Sequence, residues 1–139
     1  MNKSHIPKAA FELIDKLSRV SPYPESIWLI GSHANGRATD SSDTDLVVFA
    51  TLIFLENLRT AMEPPSSIDI FVVYDGDNFL DPWQQKGGSL TSFKWKLIDE
   101  RQAKYLGTKW ISDKESAPGS AIDTGQFLHR EEQAIRVWP

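Results

Sequence analysis

The sequence predicts an α/β (α+β) layer fold, and three observations carry that expectation: short apolar runs of strand length, helix-spaced apolar residues between them, and turn signals at the joints. After Pro7, residues Ala10, Leu13, Ile14, Leu17 and Val20 recur at spacings of three and four, the stripe of an amphipathic helix ending before Ser21-Pro22-Tyr23-Pro24. The run Ser26-Ile27-Trp28-Leu29-Ile30 is too short for a core helix and stops at Gly31, so it reads as a buried strand. A helical turn follows. Asp45 to Phe49 and Ile68 to Tyr74 read as two further strands, and Leu52, Leu55, Leu58 and Met62 keep helical spacing between them until Pro64-Pro65.

Beyond Tyr74, Asp75-Gly76-Asp77 signals a turn and residues 84–89 a loop. Phe93, Trp95 and Leu97 alternate with Lys94 and Lys96, and Ala103 to Leu106 leads on to Trp110-Ile111, which predicts an antiparallel pair. A polar segment from Ser112 to Ser120, containing Pro118-Gly119, reads as a mobile loop, and a short terminal helix is expected around Phe127 to Val137. The organisation is then one unit: residues 1–111 with a core at 6–75 and an accessory hairpin at 90–111, and residues 112–139 as loop and C-terminal helix.

Length and composition narrow the class. A chain of 139 residues with 40% hydrophobic, 24% charged and 11% aromatic side chains can bury a core and is unlike a disordered, collagenous or coiled-coil sequence. Neither a secretory signal nor an apolar stretch of the ~20 residues that span a bilayer is visible, so no membrane partner is expected and the cytoplasm is the default compartment. Absent cysteines exclude disulfides, thiolate zinc sites and cysteine nucleophiles. The net charge of −4 is uneven: residues 1–85 carry −6, residues 86–112 carry +4 and residues 113–139 carry −2. A grip on a long nucleic acid normally needs a strong basic excess, so none is expected, whereas a small anion remains compatible.

The chemistry concentrates in residues 31–45. Gly31-Ser32, ending a strand and opening a turn, is expected to leave backbone N–H groups facing outward, where with the serine hydroxyl they can hold phosphate oxygens. Asp43 and Asp45, two apart at a strand start, project from one face. Asp69 interrupts the apolar third strand, where a carboxylate is costly unless its charge is compensated, as a metal ion would do. Three carboxylates beside a phosphate cradle suit Mg²⁺, and two such ions can stabilise both the attacking and the leaving oxygens of an in-line displacement.

This pattern, Gly-Ser followed after ten residues by Asp-x-Asp, resembles the signature of the DNA polymerase β-type nucleotidyltransferase superfamily, and the small size resembles its minimal bacterial nucleotidyltransferases. The resemblance covers Ile27 to Tyr74. It implies a polymerase β-like nucleotidyltransferase fold, a mixed sheet of about three to five strands with helices packed on one face. It places Gly31 and Ser32 at the phosphates of an NTP, ATP by preference. Asp43, Asp45 and Asp69 become the catalytic residues and metal ligands, for two Mg²⁺ ions or Mn²⁺ in their place, with Asp69 activating the acceptor hydroxyl. The implied activity is transfer of a nucleoside monophosphate from NTP to a hydroxyl, with release of pyrophosphate. The acceptor is a protein side chain, as in minimal nucleotidyltransferase antitoxins that modify a small helical toxin partner, or a small hydroxylated molecule. The alternative is a non-catalytic, antitoxin-like module that neutralises a partner by contact. Where minimal members often carry an arginine after Gly-Ser, His33 stands here, and the chain has no room for the helical domain of larger relatives, which leaves residues 75–139, a second subunit in a homodimer or another partner to complete the site.

Other features are less specific. His5, His33 and His129 lack the spacing of a zinc site, and Asp75-Gly76-Asp77-Asn78 lacks the later ligands of a calcium loop. Lys94, Lys96, Arg101, Lys104 and Lys109, interleaved with Phe93, Trp95, Tyr105 and Trp110, suit either triphosphate binding and base stacking or a half-buried hairpin with solvated lysines.

Overall fold

The computed structural model describes residues 6–39, 43–84, 87–112 and 125–139. Among the described residues, two helices, α1 (Lys8–Ser18) and α2 (Leu52–Ala61), accompany eight strands: β1 (Ser26–Ile30), β2 (Thr44–Phe49), β3 (Ile68–Tyr74), β4 (Asn78–Leu80), β5 (Gly87–Ser89), β6 (Lys96–Leu97), β7 (Gln102–Ser112) and β8 (Gly125–Trp138). All eight join one mixed sheet in the order β5-β4-β3-β2-β1-β8-β7-β6. Only β2 and β3 run parallel, which the α2 crossover between them allows; every other neighbour is antiparallel.

The alternation of side chains along each strand sends two sets of residues to opposite faces. On one face Ile27, Leu29, Leu46, Val48, Ile70 and Val72 pack with Ala10, Leu13, Ile14 and Leu17 of α1 and Phe54, Leu55 and Leu58 of α2. On the other, Trp28, Ile30, Val47 and Val73 pack with Ala103, Tyr105 and Ala134, and Phe79, Leu90, Phe93 and Trp95 close over them. The central strand β1 is therefore buried along its whole length. Thr51 caps α2, its hydroxyl accepting the Phe54 N–H at 3.1 Å. Among the described residues no helix is long and apolar enough to cross a membrane.

The expected architecture of helices layered on three to five strands is corrected by this sheet. Eight strands and two helices of 11 and 10 residues make strand the dominant element among the described residues, and the second face is covered by the chain's own aromatic turn. The largest local correction is at the C-terminus, where the segment expected as a helix is β8. Ile135, Val137 and Trp138 fit a pleated surface, and the segment fills the slot between β1 and β7, pairing with both. That long-range pairing decides its conformation. Leu52, expected on the inner stripe of α2, is exposed, and Phe54 is buried instead. The hairpin partly holds: Leu97 pairs with Ala103 and Lys96 with Lys104, but Phe93 lies in a turn and Trp95 just after it, and the long partner of β7 is β8. The polar segment from 113 to 120, residues 40–42 of the Gly-Ser…Asp-x-Asp pattern, His5, Gln85 and Lys86 lie outside the described residues, as do the side chains of Lys109 and Trp110.

Candidate active site

The face of the sheet opposite the helices carries the carboxylates. Asp45 is the second residue of β2, and the parallel register sets it opposite Asp69 of β3, while the antiparallel register sets it opposite Ile30 of β1. Both aspartates are half-buried, and Asp43, just before the strand, is exposed. Burial pushes the Asp45 carboxyl up to about 7, helped by the charge of Asp69, a side-chain hydrogen bond with Asp69, and the charge of Asp43. The Asp45 carboxyl therefore holds its proton to a much higher pH than an ordinary aspartate.

Gly31 is built around this pair. Its φ of +74° lies in the left-handed region, and a Cβ there would overlap Oδ2 of Asp45. Only glycine lets the carboxylate lie against the backbone at this point. The Gly31 N–H, expected to face outward, instead donates to the Tyr105 hydroxyl at 2.8 Å. Ser32 opens the turn that follows, its carbonyl accepting the Arg37 N–H at 3.0 Å. Asn35 pins this turn to β8: its Nδ2 donates to the Gly31 carbonyl at 2.8 Å and to the Gln133 carbonyl at 3.1 Å, and its Oδ1 accepts the Gln133 N–H at 2.9 Å.

These elements surround a cleft of about 690 Å³ lined by Gly31, Asp45, Arg37, Tyr105, Arg130 and Glu132, among others. Arg37 Nη2 reaches both carboxylate oxygens of Glu132, at 2.7 and 2.8 Å. Tyr105 is buried, its ring stacked on Phe93 at 4.5 Å, and burial pushes its hydroxyl up to about 12. It enters the cleft as a neutral phenol.

Of the predicted site residues, Gly31, Asp45 and Asp69 are brought together, with Asp43 near enough to act on Asp45 through its charge. Ser32 stands beside them on the turn. His33 lines a separate recess with Thr44 and Ser67. Arg37, Arg130 and Glu132 were not singled out by the sequence, and Tyr105 was named only with the basic hairpin, because they reach the cleft from β7, β8 and the turn through pairings up to about a hundred residues long, and no local motif encodes them.

The donor set fits a hard divalent cation. Asp45, crowded by Asp69 and by the charge of Asp43, presents with them hard oxygen donors whose mutual repulsion a cation would relieve. Among the described residues, no group of three or more His, Cys, Asp or Glu is placed so that it could hold a metal ion. Comparison with protein-family models, curated proteins and solved structures returned no match. The side chains of this cleft are therefore what a functional reading must stand on.

Proposed function

We propose that the chain is a metal-dependent nucleotidyltransferase that moves a nucleoside monophosphate from an NTP to an acceptor hydroxyl. The observation that carries this reading is the Asp45–Asp69 pair, set in register on parallel strands beside Asp43, at a cleft that also holds Arg37 and Arg130. Carboxylates and guanidinium groups in one cleft suit a ligand that is an anion accompanied by a cation. Asp43, Asp45 and Asp69 would hold Mg²⁺, which when bound neutralises charge on the triphosphate and on the leaving pyrophosphate.

The chain's own residues have separate tasks. Asp69 accepts the proton of the acceptor hydroxyl as its oxygen attacks the α-phosphorus; the bond from that phosphorus to the bridging oxygen breaks, and pyrophosphate leaves with the electron pair. Arg130 offers positive charge to the phosphates, and Arg37 does so from a position fixed by Glu132. Tyr105 and Asn35 hold the Gly31 turn against the sheet, so that the carboxylates keep their approach to the backbone. The cytoplasm, where NTP is available, is the compartment we assign. The test is incubation with α-labelled NTPs, Mg²⁺ and candidate protein and small-molecule acceptors: label transferred by wild type and not by Asp69→Asn is expected, and equal transfer by both contradicts the reading.

A further inference from the structure

A second groove, of about 500 Å³, lies along the β6–β7 pair and is lined by Lys94, Lys96 and Lys104 with Leu97, Ile98 and Glu131. Its backbone concentrates positive charge at a cost. Lys96 and Lys104 are direct partners across the β6–β7 pair, so two ammonium side chains project from one face at adjacent positions, an arrangement that destabilises a strand pair. Lys94 takes φ +55°, a left-handed conformation unfavourable for a lysine. Glu131 offsets part of the charge through a contact with Lys104 at 3.0 Å, but both side chains are exposed, so the pair is weak and yields readily to a stronger anion. The groove lies in the one stretch of the sequence with a positive balance. An anion seated between the lysines relieves their repulsion. Leu97 and Ile98, both more than 45% exposed, offer a neighbouring apolar surface. The volume matches a small organic ligand.

We propose that this groove binds the phosphate groups of a small molecule other than the nucleotide. Lys104 alternates with Tyr105 along β7, so Lys96 and Lys104 project from the sheet face opposite the one that carries Asp45, and the groove is a site separate from the Asp45 cleft. Lysine ammonium groups suit phosphates as point charges that need no planar match.

The experiment is calorimetric titration with inorganic tripolyphosphate in the presence of chelator at low salt. Wild type is expected to bind, Lys94→Ala/Lys96→Ala/Lys104→Ala to bind at least tenfold more weakly, and Asp43→Asn/Asp45→Asn to bind like wild type. Lys96→Glu, which replaces a like-charge pair by an opposite-charge pair with Lys104, is expected to fold at least as stably and to lose binding by a similar factor. A separate titration without chelator, with ATP saturating and Mg²⁺ in excess over all phosphate ligands, is expected to leave tripolyphosphate affinity within about twofold of that measured with the same Mg²⁺ and no ATP. Absent binding to wild type, or equal binding by the lysine variants, overturns the site. Competition by Mg·ATP overturns the second ligand, because the lysines then serve the NTP's own phosphates.

Discussion

The Tyr105 hydroxyl accepts the backbone N–H of Gly31 at 2.8 Å, joining β7 to the turn that follows β1 across 74 residues of chain. Replacing Tyr105 by Phe removes the acceptor and keeps the ring stack on Phe93 and Trp95. An N–H left without a partner in a partly buried place costs about 1 kcal/mol or more. Tyr105→Phe is therefore expected to lower Tm by roughly 4 °C, with near-ultraviolet circular dichroism unchanged. An unchanged Tm would show that the bond contributes nothing to holding the turn.

Two glycines of that turn separate backbone strain from steric overlap. Gly31 and Gly36 both have positive φ, +74° and +71°, but a Cβ at Gly36 meets nothing within 4 Å, whereas at Gly31 it overlaps the Asp45 carboxylate. Gly36→Ala is expected to cost about 1 kcal/mol from conformation alone. Gly31→Ala should cost at least about 1 kcal/mol more and abolish nucleotide binding as well, read by urea denaturation and by titration with Mg·ATP.

The raised carboxyl of Asp45 gives the metal-free protein a pH dependence of known sign. The fold favours the protonated form, so the stabilisation is complete below the ordinary value of 3.8 and is lost as pH rises through about 7. Without metal, Tm should fall by several degrees between about pH 5 and pH 8, and Asp45→Asn should flatten that slope. Mg²⁺ should restore stability on the alkaline side and release a proton on binding below about pH 7, detected as a buffer-dependent enthalpy.

Arg37 and Glu132 form an ion pair whose carboxylate side is nearly buried, with side chains 45% and 11% exposed. Arg37→Ala leaves that carboxylate without its partner and is expected to destabilise by about 1–2 kcal/mol, a value reduced by the exposure of the arginine. Arg37→Ala/Glu132→Gln should recover about half of the loss, and additive effects would mean that the two do not interact.

What the sequence made legible follows the range of the interactions. The stripe of Ala10, Leu13, Ile14 and Leu17 and the runs Ser26–Ile30 and Ile68–Tyr74 are set by local periodicity, and the structure places them as expected. The meeting of Asp45 with Asp69 was readable because both stand near the start of short apolar runs joined by one helix. The eight-stranded sheet was not readable, because its extent depends on β8 lying between β1 and β7, and Phe127 to Val137 carries too mixed a pattern to announce a strand alone. Nor could a local pattern reveal that the Gly31 N–H is taken by a tyrosine from β7.

The central claim is that Asp43, Asp45 and Asp69 bind a divalent ion together with a nucleotide. The most direct measurement is calorimetric titration of ATP into the protein with Mg²⁺ and with chelator, for wild type and for Asp43→Asn/Asp45→Asn. The expected result is binding by wild type only with Mg²⁺, weakened at least a hundredfold in the double variant, while circular dichroism shows that variant folded. Equal ATP affinity in chelator, or wild-type affinity in the folded double variant, would contradict the assignment of these carboxylates and the function built on them.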